Sequence, residues 1–66
     1  VPTVTFVIDR RKFLDGREQF SVLRILDRRM DLVSHHPTVE EALEAAYTYA
    51  SKARFAGLEA RILQRD

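Results

Sequence analysis

No cysteine occurs in these 66 residues, so neither a disulfide nor a thiolate metal ligand can reinforce the fold, and no oxidising compartment is demanded. Tryptophan is also absent, and glycine and proline occur only twice each. That scarcity excludes glycine-rich phosphate loops and proline-rich or flexible linkers. No run of about 18 apolar residues exists, and no basic segment followed by an apolar one opens the chain. Neither a membrane span nor a secretory signal is therefore expected, and a cytoplasmic setting is the default. Charge of one sign is lacking too: eleven basic and ten acidic residues leave a formal +1, far from the excess that would by itself argue for nucleic acid. What remains is one small domain spanning 1–66, whose size limits it to a thin core.

The sharpest local signal is His36-Pro37-Thr38-Val39-Glu40-Glu41-Ala42. Thr38 and Glu41 have the three-residue spacing of a capping box, in which each side chain accepts from the other's backbone N–H, and Pro37 keeps His36 extended. A helix is predicted from Val39 to about Phe55. On its wheel Val39, Ala42, Leu43, Ala46, Tyr49, Ala50 and Ala53 share one arc, the face to be buried, with Glu40, Glu44, Thr48, Ser51 and Lys52 opposite. Four alanines in that arc let the helix lie close to its partner layer. Gly57 supplies a left-handed terminator.

Before the helix, Thr3 to Ile8 reads as a strand with Val4, Phe6 and Ile8 on one side and Thr3, Thr5 and Val7 on the other. Asp15-Gly16 is a tight-turn signal for a hairpin connection longer than two residues. Phe20 to Leu26 is a second strand with apolar residues on both sides, which leaves its register open. Asp27-Arg28-Arg29 makes a polar turn into a third strand, Met30 to His35, with Met30, Leu32 and Ser34 opposite Asp31, Val33 and His35. After the helix, Leu58, Ala60 and Ile62 alternate with Glu59, Arg61 and Leu63 in a final strand. The fold class is thus α+β, order βββαβ, with a three- to four-stranded, mainly antiparallel sheet and one helix on one face. One helix cannot cover both faces, so the other face becomes the functional question.

The chemistry-bearing residues offer little for catalysis. There is no cysteine nucleophile, no phosphate loop and no serine in an elbow motif, and His35 and His36 are neighbours on a strand, where side chains point to opposite sides. Capping of the loop before the helix is the plainer role for these histidines. No deep pocket, cofactor, metal or small-molecule substrate is expected, and the chain is read as non-catalytic.

Two kinds of interaction remain. Phe13 and Leu14 in the first connection, Tyr47 at the border of the helix stripe, Phe55 away from that stripe, and Leu63 on the outer side of the last strand are apolar where solvent is expected. Phe55 either tucks under Leu63 or the Phe13-Leu14 loop, or it marks a partner contact. Together these residues suggest protein binding, above all a homodimer, since small scaffolds without staples commonly stabilise themselves by oligomerising. The alternative is nucleic acid, contacted by Arg24 in the second strand and by two loop clusters, Arg10, Arg11 and Lys12 and then Arg28 and Arg29, which antiparallel connections can place at opposite sheet ends. Interleaved acids leave an excess of only two positive charges over the first 36 residues, so solvated turn charges are the plainer reading.

From Gly16 to Ala46 a glycine turn, an aromatic-led strand (Phe20-Ser-Val-Leu-Arg-Ile), a basic turn and Thr38-Val-Glu-Glu-Ala opening an alanine-rich helix follow one another. This run resembles the arm-type DNA-binding domain of tyrosine recombinases, and equally small bacterial and phage domains built from the same strands and helix. The resemblance implies a three-stranded sheet backed by a helix that enters a DNA major groove with its exposed side chains.

Overall fold

The computed structural model describes residues 2–65. Alternating β-branched and aromatic residues form β1 (Thr3–Lys12), β2 (Glu18–Leu26) and β3 (Arg29–His36); α1 (Val39–Phe55) and β4 (Glu59–Gln64) follow. The four strands make one sheet in the order β3-β2-β1-β4. β1 pairs antiparallel with β2 and β2 antiparallel with β3, whereas β4 lies parallel to β1 on its other side. The parallel pairing follows from the connection. A hairpin cannot join parallel strands, and α1 supplies the crossover that carries the chain from β3, at one edge, to β4 at the other.

The register fixes which side chains α1 covers. Phe6 stands beside Ile62 and Arg24, Ile8 beside Val22, and Val4 beside Ala60, so these share one face with Phe20 and Leu26. Val4, Phe6, Ile8, Phe20 and Val22 meet the fully buried Ala42, Ala46 and Ala50 of α1 in a single core. The alanine stripe does what its spacing requires: with only methyl groups at Ala42, Ala46 and Ala50, the helix backbone approaches the sheet closely there. Tyr49, on the same arc, stacks on Phe6 with ring centroids 5.9 Å apart.

Both ends of α1 are closed locally. Thr38 is extended (φ −130°, ψ 155°) and its hydroxyl accepts from the Glu41 amide at 3.3 Å. Among the described residues the reciprocal bond, from the Thr38 amide to the Glu41 carboxylate, is not made, so the expected box is half formed. At the other end Leu58 N–H donates to Ala53 O and Gly57 N–H to Arg54 O, both at 3.0 Å, with Gly57 at φ 91°. This is the Schellman arrangement, which satisfies two of the last carbonyls and turns the chain into β4.

Three strand readings are corrected. β1 runs four residues beyond Ile8, because Asp9, Arg10, Arg11 and Lys12 pair with Ser21, Phe20, Gln19 and Glu18; cross-strand hydrogen bonding overrides their polar composition. The connection beyond it, Phe13 to Arg17, closes through Phe13 N–H to Arg17 O at 2.8 Å and is, as expected, longer than two residues. β3 begins at Arg29, which pairs with Leu26. Its simple alternation also fails: a bulge shifts the register between Val22 and Leu23, so that Ser34 stands beside Val22 while Leu32 stands beside Leu23. The bulge moves Met30 and Leu32 to the face away from α1, together with His35, and turns Asp31 and Val33 towards the helix side.

The β2–β3 turn holds two non-glycine residues in the left-handed region, Asp27 at φ 50° and Arg28 at φ 67°. Two positive φ angles are what a two-residue turn needs to match the strand twist, and glycine is the favoured second residue. Replacing Arg28 by glycine is therefore expected to raise stability by about 0.5–1 kcal/mol, a gain of several degrees in Tm by thermal unfolding.

Candidate functional site

The sheet face that α1 leaves open carries a continuous apolar row. Following the register across the strands, Leu32 of β3 stands beside Leu23 of β2, Leu23 beside Val7 of β1, and Val7 beside Leu63 of β4. Four apolar side chains thus form an unbroken row across the whole sheet. The next row continues it with Met30, Ile25 and Thr5 before ending at Arg61. Leu23 and Ile25 are half-buried and Val7 is buried by its neighbours, while Leu32 and Leu63 at the two ends of the row are each 54% exposed. The flanking positions are polar: Asp9, Ser21 and His35 on one side and Thr3 and Glu59 on the other. An apolar centre with a polar rim is the anatomy of an interaction surface.

The sheet edges are less accessible to another strand. The amides of Glu59 and Arg65 donate inward to Pro2 O and Ile8 O, at 3.0 and 2.8 Å, so by alternation the peptide groups of Ala60 face the free edge of β4. There the Arg54 guanidinium donates to Ala60 O at 3.3 Å and occupies one of the few open acceptors. On the other edge the bulge in β3 interrupts regular pairing. Both devices discourage edge-to-edge addition, which leaves the face as the accessible surface.

Of the five residues expected to bind a partner, only Leu63 belongs to this face. Tyr47 is exposed on the outer side of α1. Phe13 and Leu14 lie in the β1–β2 connection, where Arg17 stacks over the Phe13 ring at 5.7 Å and Leu14 is fully exposed. Phe55 is 97% exposed at the other end of the molecule, because α1 ends where β4 begins and β4 begins beside Thr3, at the start of β1. It tucks under neither Leu63 nor the Phe13-Leu14 loop. The residues missed were Val7, Leu23, Ile25, Met30 and Leu32. The apolar outer side of β2 was their one signal in the sequence, and the bulge hid the contribution of β3.

The basic residues are not brought together. Arg10, Arg11 and Lys12 sit on the part of β1 that extends with β2 beyond the four-stranded region, and strand alternation puts Arg11 on the open side and Arg10 and Lys12 on the other. Arg10 is paired with Glu18, and Arg17 is paired with Asp15 at 2.6 Å. Arg28 and Arg29 lie at the opposite end of the sheet. Arg24 projects from the helix side of β2 and pairs with Asp31 at 3.2 Å. The histidines diverge as their alternation requires, and neither caps the loop: His35 Nδ1 shares a hydrogen bond with Ser21 Oγ at 3.0 Å on the open face, and His36 Nε2 one with Ser34 Oγ at 2.8 Å on the helix side.

Among the described residues no helix is long and apolar enough to cross a membrane. Comparison of the chain with protein-family models, with curated proteins and with solved structures gives no match.

Proposed function

We propose that this chain is a non-catalytic protein-interaction module that self-associates through its open sheet face. The observation that carries the reading is the apolar row Leu32-Leu23-Val7-Leu63, continuous across all four strands on the side away from α1. A second copy is the occupant its pattern fits. A two-fold axis parallel to the strands lays β3 over the partner's β4 and β2 over its β1, so Leu32 meets Leu63 and Leu23 meets Val7, twice over. The same operation sets Arg61 against Met30, where the arginine stem can lie on the thioether while its head reaches water, and sets Asp9 against Ser21. The row is self-complementary, as a two-fold interface requires. The dispersal of the cations over both ends and both faces gives a nucleic-acid surface no comparable centre.

Size sets the strength. Four strands about 4.8 Å apart and some six residues long give a face of roughly 20 by 20 Å, so two copies bury on the order of 800 Å². That is small for a stable dimer, and it places dissociation at about micromolar or weaker. Sedimentation equilibrium over roughly 5 µM to 1 mM is the test: the mass is expected to rise from that of one chain towards that of two, with no weakening at high salt, since the contact is apolar. A single-chain mass at every concentration would overturn the reading.

A further inference from the structure

The inward positions of β2 read Phe20, Val22, Arg24, Leu26, and the arginine stands beside the buried Phe6 on the side that α1 covers. A cation at a core-side position of a central strand calls for a local reason, because the folded core gains nothing from it. The reason is an opening. α1 packs more heavily on β1 and β4 than on β2 and β3, and beside its last turns a cleft of about 290 Å³, half open to solvent, lies between it and the β2–β3 side of the sheet. The floor is core: Val4 and Phe6. The walls are Leu26, Val33, Tyr49 and Leu58, all half-buried, with the Phe6–Tyr49 stack forming one flat side. Its two charged lining residues are both cations, Arg24 and Lys52. Arg24 shares its charge with Asp31, and Lys52 makes no ion pair among the described residues.

We propose that this cavity binds a small amphipathic anion, with an aliphatic or aromatic body between the Phe6–Tyr49 stack and Leu26–Val33 and a carboxylate at Lys52 and Arg24. An apolar interior with a few polar groups at its margin is the general form of a small-molecule site, and 290 Å³ lies just below the usual range of about 300–1,000 Å³. That size fits a monocarboxylate of about ten non-hydrogen atoms. Lys52 supplies a charge-assisted contact, and Arg24 offers a planar fork suited to a carboxylate. The site lies on the opposite side of the sheet from the Leu32-Leu63 row, so the proposal stands independently of self-association. It departs from the expectation, drawn from the sequence, of no small-molecule ligand, although the cleft is not the deep pocket that one helix over a small sheet is expected to lack.

The test is a backbone amide NMR titration of the full chain with octanoate, with 1-octanol as the uncharged comparison. Saturable shifts centred on Leu26, Val33, Tyr49, Ala53 and Leu58 are expected, with a Kd of about 1 mM or below. Octanol and the Lys52→Gln variant are each expected to weaken binding about tenfold, the usual size of a charge-assisted contact. Val33→Trp, which fills the cavity from an edge strand, is expected to abolish the shifts while the amide spectrum stays dispersed; if that variant fails to fold, Lys52→Gln on the exposed helix surface still decides. Shifts centred on Leu32 and Leu63 instead, equal affinity for octanol and octanoate, or no saturable response would each overturn the proposal.

Discussion

Ile8→Ala is expected to destabilise the domain by about 2–5 kcal/mol. Ile8 is the largest side chain among those left with less than 2% exposure, and it stands where β1, the central strand of the β2-β1-β4 side, meets the alanine stripe of α1. The loss comprises the transfer free energy of three buried carbons and the cavity left beneath a helix that cannot follow, since Ala42, Ala46 and Ala50 are already in contact with the sheet. A domain of this length has of order 3–10 kcal/mol of stability in total. The variant is thus expected to lose about half of its folded margin at the middle of these ranges, read as a fall in the urea midpoint with an unchanged slope. Ile8→Val, which keeps the β-branch and removes one methyl group, is expected to cost only about 0.5–1.5 kcal/mol. Equal losses for the two variants would show that the site collapses around the smaller side chain and that the stripe is not rigid.

The second large effect concerns assembly rather than folding. Leu32→Glu or Leu63→Glu is expected to weaken self-association at least about a hundredfold, because each places carboxylates in the desolvated row on both sides of the axis. Since both residues are half-exposed at the two edges of the sheet, the folded monomer is expected to change by no more than about 0.5 kcal/mol. The proposed axis can be tested by combination. Leu32→Lys together with Leu63→Glu sets opposite charges against each other between copies, and this double variant is expected to recover part of the affinity that Leu63→Glu alone loses. Sedimentation of the three variants at matched concentration measures it. Failure of the double variant to exceed Leu63→Glu would exclude the strand-parallel axis, and unchanged association in all three would exclude the open face.

Much of the local structure was written in short-range patterns. The Thr38 spacing and Pro37 started the helix, the alanine arc chose its buried side, and Gly57 ended it, each through interactions within a few residues. Period-two alternation likewise grouped Val4, Phe6 and Ile8, and Ala60 and Ile62, each on one side of its strand, because successive side chains point to opposite faces. Other features lay beyond that range. The polar half of β1 became strand only because β2 supplied hydrogen-bond partners for it. The bulge at Val22/Leu23, which no pattern within β3 announces, turned Met30 and Leu32 outward and so completed the apolar row. The separation of Phe55 from Leu14 followed from the direction of the crossover.

Arg24 shows the division most plainly. As a residue in a sequence it is one more cation among several; in the fold it is a charge beside the core, over a gap that the helix axis leaves open. The sequence by itself determined the kind of each element, their order and which side chains share a side of β1 and of β4, since these rest on backbone sterics, capping and hydrophobic periodicity. Only the tertiary structure decided which outer side chains lie next to one another, because that depends on strand order and register between segments distant in the chain.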